Sequence, residues 1–213
     1  RDARRLSTLL EVSQALSGTL NLNAGSANTL ALIPGGGAAT VVGLSINGSS
    51  AVVDLKNYAQ AVGALASANT LPGGGGQVTN TGASVVNLTS TGGGTFGGTI
   101  TGALNFVRSG SNTTLLTAGS TYTGKTVVRG GTLQLRDGGA IASTAGLELY
   151  FGTLNWDNFG LNPVATPNPV RLAAANAVTM QGATLQIVGA GSTDTIVSLD
   201  SVTVAAGNNF FST

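Results

Sequence analysis

Apolar and polar residues alternate along this chain in short runs, each opened by glycine. Thr132-Leu133-Gln134-Leu135 follows Gly130-Gly131, Thr153-Leu154-Asn155-Trp156 follows Gly152, and Thr184-Leu185-Gln186-Ile187 follows Gly182-Ala183. Thr19-Leu20-Asn21-Leu22, after Gly18, is an earlier copy. Alternation at a period of two marks a strand with one buried face. Four residues cannot bury that face alone. Stacked copies can, which is the principle of a solenoid. Leu133, Leu135, Leu154, Leu185 and Ile187 are therefore the expected inward positions. An antiparallel sandwich is the rival arrangement, and strand pairing separates the two.

The threonines that open the last three copies lie 21 and 31 residues apart. The longer interval holds Pro163, Pro167 and Pro169, which read as an extended loop near 160–170. Without that loop the period is near twenty residues, one coil of short parallel strands. Roughly nine or ten coils at about 4.8 Å each make a rod about 45 Å long. Gly124, Gly130, Gly131, Gly152 and Gly182 are the expected turn glycines, because each coil corner must turn within a few residues.

Residues 56–71 fit a short helix and an irregular strand equally well. The run at 72–76, Pro72 and four glycines, is expected to bulge from a coil corner and not to divide two domains. Leu6, Leu9, Leu10 and Leu16 fall near one helical face, and Gly18 stops that pattern. Residues 1–17 are thus expected to form an N-terminal helix or cap, and 18–213 one all-β, parallel β-helix segment.

Composition narrows function by exclusion. The 213 residues include 33 glycines but only nine Lys and Arg and eight Asp and Glu, for a net charge of +1. No basic face is available for nucleic acid, and no polybasic stretch for anionic lipid. A hydrophobic content of 42% argues for a folded chain. Cysteine and histidine are both absent, which removes disulfides, thiol chemistry, Ser-His-Asp catalysis and histidine metal sites. No apolar run is long enough for a transmembrane helix. Asp2 and Glu11 interrupt any signal-peptide pattern at the start. Arg1 is not an initiator methionine and Gly207 to Thr213 read as an incomplete coil, so the chain is expected to be a segment of a longer protein.

Asp137 and Asp157 are 20 residues apart and are the best acid–base candidates, since stacked coils bring such positions together. Both also sit in turn sequences, Asp137-Gly138-Gly139 and Asp157-Asn158, and the turn reading is the stronger one. Gly124-Lys125-Thr126 ends like a phosphate loop but lacks the upstream glycine and precedes a strand. Calcium-binding glycine–aspartate repeats do not occur. No catalytic residue, metal or cofactor is expected. Tyr150, Trp156 and Phe159 are the candidate ligand or partner contacts. Trp156 takes the Leu135 position of its strand, which turns it inward; otherwise the three form a strip able to stack on sugars or dock a partner.

The run Gly119 to Leu135 resembles the autotransporter-associated β-strand repeat of bacterial passenger domains. It has the Tyr122-Thr123-Gly124 step, the Val127-Val128 strand, the Gly130-Gly131 pair and the Thr132-Leu133 strand, with Lys125 where a second glycine is common. Residues 111–213 look like the same family more weakly, and the first hundred only in composition. The resemblance implies a right-handed parallel β-helix, export to the bacterial surface or medium, and a place in a large adhesin-like protein. The family's usual outer-membrane barrel needs strands of about 9 to 11 residues, unlike the short strands here. The expected function is a rigid structural or adhesive module. Its neighbours would be coils of the same parent chain or identical subunits, and its outer contacts a host or matrix surface or a glycan. A self-assembling extracellular filament subunit and a polysaccharide-active enzyme are the alternatives.

Overall fold

The computed structural model describes residues 19–23, 29–31, 40–159, 170–173, 176–191 and 195–213. The expected helix at 1–17 and most of the proline loop lie outside the described residues.

Nineteen short strands follow one another with no helix between them among the described residues. The first seven are β1 (Thr19–Asn23), β2 (Thr29–Ala31), β3 (Thr40–Asn47), β4 (Val52–Asp54), β5 (Gln60–Ala66), β6 (Gln77–Asn80) and β7 (Val86–Ser90). Next come β8 (Gly94–Phe96), β9 (Thr99–Gly102), β10 (Leu104–Ser109), β11 (Thr113–Leu116), β12 (Thr126–Arg129) and β13 (Thr132–Leu135). The last six are β14 (Leu147–Tyr150), β15 (Thr153–Asp157), β16 (Ala177–Gln181), β17 (Thr184–Val188), β18 (Ser201–Val204) and β19 (Phe210–Ser212).

These strands stack into three sheets. A nine-stranded sheet runs β1-β3-β5-β7-β10-β12-β14-β16-β18. A six-stranded sheet runs from β8 through β11, β13, β15 and β17 to β19, and a four-stranded sheet joins β2, β4, β6 and β9. Every pairing between strands is parallel, for example Thr126↔Leu147 and Leu104↔Val86. Each chain turn therefore lays one strand beside its predecessor one coil earlier. That is a parallel β-solenoid, and it excludes the antiparallel sandwich. Nine strands spaced at about 4.8 Å give a stack about 40 Å deep.

Coil length varies around the twenty-residue expectation. It is 18 residues from Val86 to Leu104, 20 from Phe106 to Thr126 and 31 from Leu147 to Val178. Register survives this variation. Thr132 pairs with Thr153 and Thr153 with Thr184, so the three copies of the motif lie directly over one another. The early copy does not join them: Thr19–Asn23 belongs to the nine-stranded sheet, a different face of the coil. The ambiguous stretch at 56–71 resolves as strand β5, and Pro72-Gly73 form a turn between β5 and β6.

The core is one continuous column of inward side chains. Leu104 and Phe106 of β10, Val128 of β12, Leu147 and Leu149 of β14, and Val178 and Met180 of β16 are all essentially buried. Leu133, Leu135, Leu154 and Leu185 line the six-stranded side at 0–3% exposure, and Ile187 packs half-buried against them. Burying a Leu or Ile side chain contributes about 1.5–3 kcal/mol. Here that gain accrues only when the next coil is in place.

Candidate interaction surface

Tyr122, Gly124, Val127, Val128 and Leu133 of the sequence motif are buried in the rod. Tyr122 is 1% exposed, and its hydroxyl shares a 2.6 Å hydrogen bond with Thr126 Oγ1. The Thr126 hydroxyl donates to Thr144 Oγ1 of the following coil at 2.9 Å. Thr144 reaches the Gly124 carbonyl, also at 2.9 Å. Burial holds the Tyr122 phenol well above its ordinary pKa of 10, so it stays a neutral donor. A side chain on Gly124 would collide with the Leu104 carbonyl one coil earlier. Gly130 and Gly131 turn the next corner at φ of 102° and 60°. Gly152 packs beside Val128 and Gly130, and Gly182 turns a corner at φ 58°. The buried part of the motif is therefore a device that couples coil to coil, while Lys125 and Arg129 of the same run stay exposed.

Two arginines among the described residues are wholly buried. Arg108 donates to the Ser90 carbonyl at 2.9 Å and to the Asn112 carbonyl, and burial lowers its pKa. Arg171 donates to Asn158 Oδ1 at 2.9 Å, to the Asp157 carbonyl at 2.8 Å and to the Gly139 carbonyl. Burial pushes its pKa down to about 10, which still leaves it charged at neutral pH. Both guanidinium forks donate to backbone carbonyls at coil corners, and the Asn112 carbonyl accepts the Thr132 amide as well. Sequence reasoning missed them, because an isolated arginine reads as a surface residue. Arg108 did carry a signal: it continues the inward phase of Leu104 and Phe106. Arg171 carried none.

The carboxylates weighed for catalysis hold turns. Asp137 has a left-handed backbone, φ 52°. Asp157 Oδ2 accepts from Gln134 Nε2 at 2.8 Å, and its Oδ1 accepts from the Phe159 amide at 2.8 Å. Leu135 pairs with Trp156, so the neighbour of Asp157 one coil back is Arg136, whose guanidinium lies 3.9 Å away. Asp137 falls one position further along and is not its partner. No group of three or more His, Cys, Asp or Glu able to hold a metal gathers among the described residues.

The three aromatic candidates do not share a surface. Trp156 is 5% exposed and stacks inward between Leu135 and Ile187. Phe159 is exposed beyond β15, whereas Tyr150 lies half-buried on the outer face of the nine-stranded sheet. What does assemble is a group around Tyr150. Its hydroxyl donates to Glu148 Oε2 at 3.3 Å, and Lys125 Nζ donates to Glu148 Oε1 at 2.6 Å. The Glu148 hydrogen bond raises the Lys125 pKa. Phe151, next along the chain, is 70% exposed. Sequence reasoning passed over it, because an exposed Phe at a corner follows no periodic pattern.

Comparison with known proteins adds one relative. The chain is 36% identical over 102 residues to the adhesin BmaC autotransporter of Brucella suis biovar 1 (strain 1330). That match covers 46% of this chain and 3% of the relative. The chain is similar to an autotransporter adhesin. No family model matches it, and no solved structure does. The similarity agrees with the resemblance carried by residues 119–135. The parallel solenoid is also the fold that this resemblance implies. No helix among the described residues is long and apolar enough to cross a membrane.

Proposed function

We propose that the chain is a rigid β-helical segment of a bacterial surface or secreted adhesin, right-handed as in the family it resembles, with residues 1–17 capping or tethering its first coil. The carrying observation is the unbroken nine-stranded parallel sheet, whose register persists through coils of unequal length. Such a stack holds its form over distance without disulfides or metals, which suits a stalk or a presenting scaffold. The adhesin relative supports the adhesive setting. An antibody raised against the purified chain should label intact cells of the source bacterium, and protease added outside should remove the label. Labelling only after permeabilisation would overturn the surface assignment.

Assembly is a second reading with its own observation. Val202, Val204, Phe210 and Phe211 of β18 and β19 are 38–58% exposed. Val178, Met180 and Leu185, the register partners of Val202, Val204 and Phe211, are buried, whereas Phe210 pairs with half-buried Thr184. An apolar rung of this kind favours a further coil, supplied by the parent chain or by an identical subunit in a filament. Fibres formed by the isolated chain would favour the filament, and dispersed short rods the parent chain.

A further inference from the structure

Several corners that follow strands of the nine-stranded sheet turn on a left-handed residue. It is Gly48 after β3, Gly110 after β10, Gly130 after β12 and Gly182 after β16, with φ of 108°, 87°, 102° and 58°. After β14 the position is Phe151, at φ 55°. A bulky L-residue is an outlier in that conformation, and the backbone is strained by it. Burial does not offset the strain, because the ring is 70% exposed.

The surroundings leave one side of the ring open. The Phe151 ring rests against Gly182 of the next coil, where an added Cβ would lie 2.9 Å from ring carbons. Gly207 follows beneath Gly182. The ring thus covers Gly182 and, at 70% exposure, presents the rest of its surface to solvent. One residue beyond the Val128–Leu149 pair, Arg129 lies beside Tyr150 on the preceding coil, and Gln181 pairs with Tyr150 on the following one. Arg129 is exposed and has no ion-pair partner among the described residues, whereas the charge of Glu148 is met by Lys125.

We propose that this corner binds an acidic polysaccharide, one whose sugars carry carboxylates. The C–H face of a pyranose stacks on the solvent-facing side of Phe151, Arg129 takes the carboxylate, and Gln181 bonds a hydroxyl. The uncompensated arginine selects an acidic over a neutral glycan. This inference rests on the adhesive reading above and gives it a ligand class.

The test measures binding of the purified chain to immobilised hyaluronan, dextran and gelatin, with urea unfolding run in parallel. Phe151→Gly is expected to unfold at the same or higher urea, because glycine relieves the strained φ. It is also expected to weaken hyaluronan binding by about tenfold or more. Arg129→Gln is expected to weaken hyaluronan binding and flatten its salt dependence, with stability unchanged. No wild-type binding to hyaluronan would overturn the site, as would equal binding to dextran or Phe151-dependent binding to gelatin alone. A destabilised Phe151→Gly with unchanged hyaluronan binding would make the ring a coil-to-coil staple, overturning the proposal. Surface labelling of intact cells is read separately, so the site can fail while the adhesive setting stands.

Discussion

Tyr122 and Thr126 share a buried hydroxyl–hydroxyl hydrogen bond of 2.6 Å, and through Thr144 it runs on into the next coil. Three hydroxyls satisfy one another and a backbone carbonyl inside an apolar column. Removing the middle member should cost more than removing the end. Tyr122→Phe should lower stability by about 1 kcal/mol, and Thr126→Val by about 1–3 kcal/mol, because it strands two partners. Urea titrations with an unchanged slope would check the order. Equal losses would contradict the network.

Leu133 tests how far a defect travels along the stack. Leu133→Ala should destabilise by about 2–5 kcal/mol. Leu133→Asp should do more, since a carboxylate would be buried without a partner. Leu133 is flanked by Thr114 and Leu154 on the adjoining coils. Hydrogen exchange should therefore show protection lost in β11 and β15 together with β13. Loss confined to β13 would argue against coils that fold as coupled neighbours.

Arg171 tests the buried clamp. Arg171→Ala leaves the Gly139 and Asp157 carbonyls and Asn158 Oδ1 without their donor, and should cost about 3 kcal/mol or more. Arg171→Lys should recover little, because a single ammonium cannot reproduce three bonds from a planar fork. The readout is the urea midpoint of the three proteins. A lysine variant as stable as the wild type would show that charge alone matters there.

These arginines also mark where the sequence stops being informative. The strand copies at Thr132, Thr153 and Thr184 are legible because alternation and glycine corners are local properties. Which face a copy occupies is not local. Thr19 to Leu22 repeats the alternation of Thr132 to Leu135 yet lies on another sheet, since alternation does not say which face of the coil a strand takes. The strain at Phe151 was equally hidden: it emerges once the register aligns it with Gly130 and Gly182. Trp156 was half legible, as its place in the alternation already pointed inward.

Asp54 gives the stack an acid-sensitive corner. Burial raises its pKa, but hydrogen bonds from Lys56 and Thr81 outweigh that, and the net shift is below the ordinary 3.8. Its Oδ2 lies 2.8 Å from Lys56 Nζ and accepts from Thr81 Oγ1 at 2.7 Å. A depressed folded-state pKa means the stabilisation is present above the unfolded value and is lost as pH falls through the folded one. Stability should thus decline below about pH 4, and Asp54→Asn should flatten that decline. Urea midpoints between pH 7 and pH 2 measure it. An unchanged acid slope in the variant would remove Asp54 from the account.

The central claim is the parallel register that carries one coil onto the next, and the absence of cysteine makes it directly testable. Thr153 and Thr184 are partners across a 31-residue interval, both half-buried on the outer face of the six-stranded sheet. Adjacent parallel strands place such partners about 4.8 Å apart, within disulfide range. The double variant Thr153→Cys/Thr184→Cys should oxidise to an intramolecular disulfide with its circular dichroism unchanged. The pair Thr153→Cys/Gln186→Cys, two residues out of register, should remain reduced. Equal oxidation of both pairs, or of neither, would contradict the stacked-coil register.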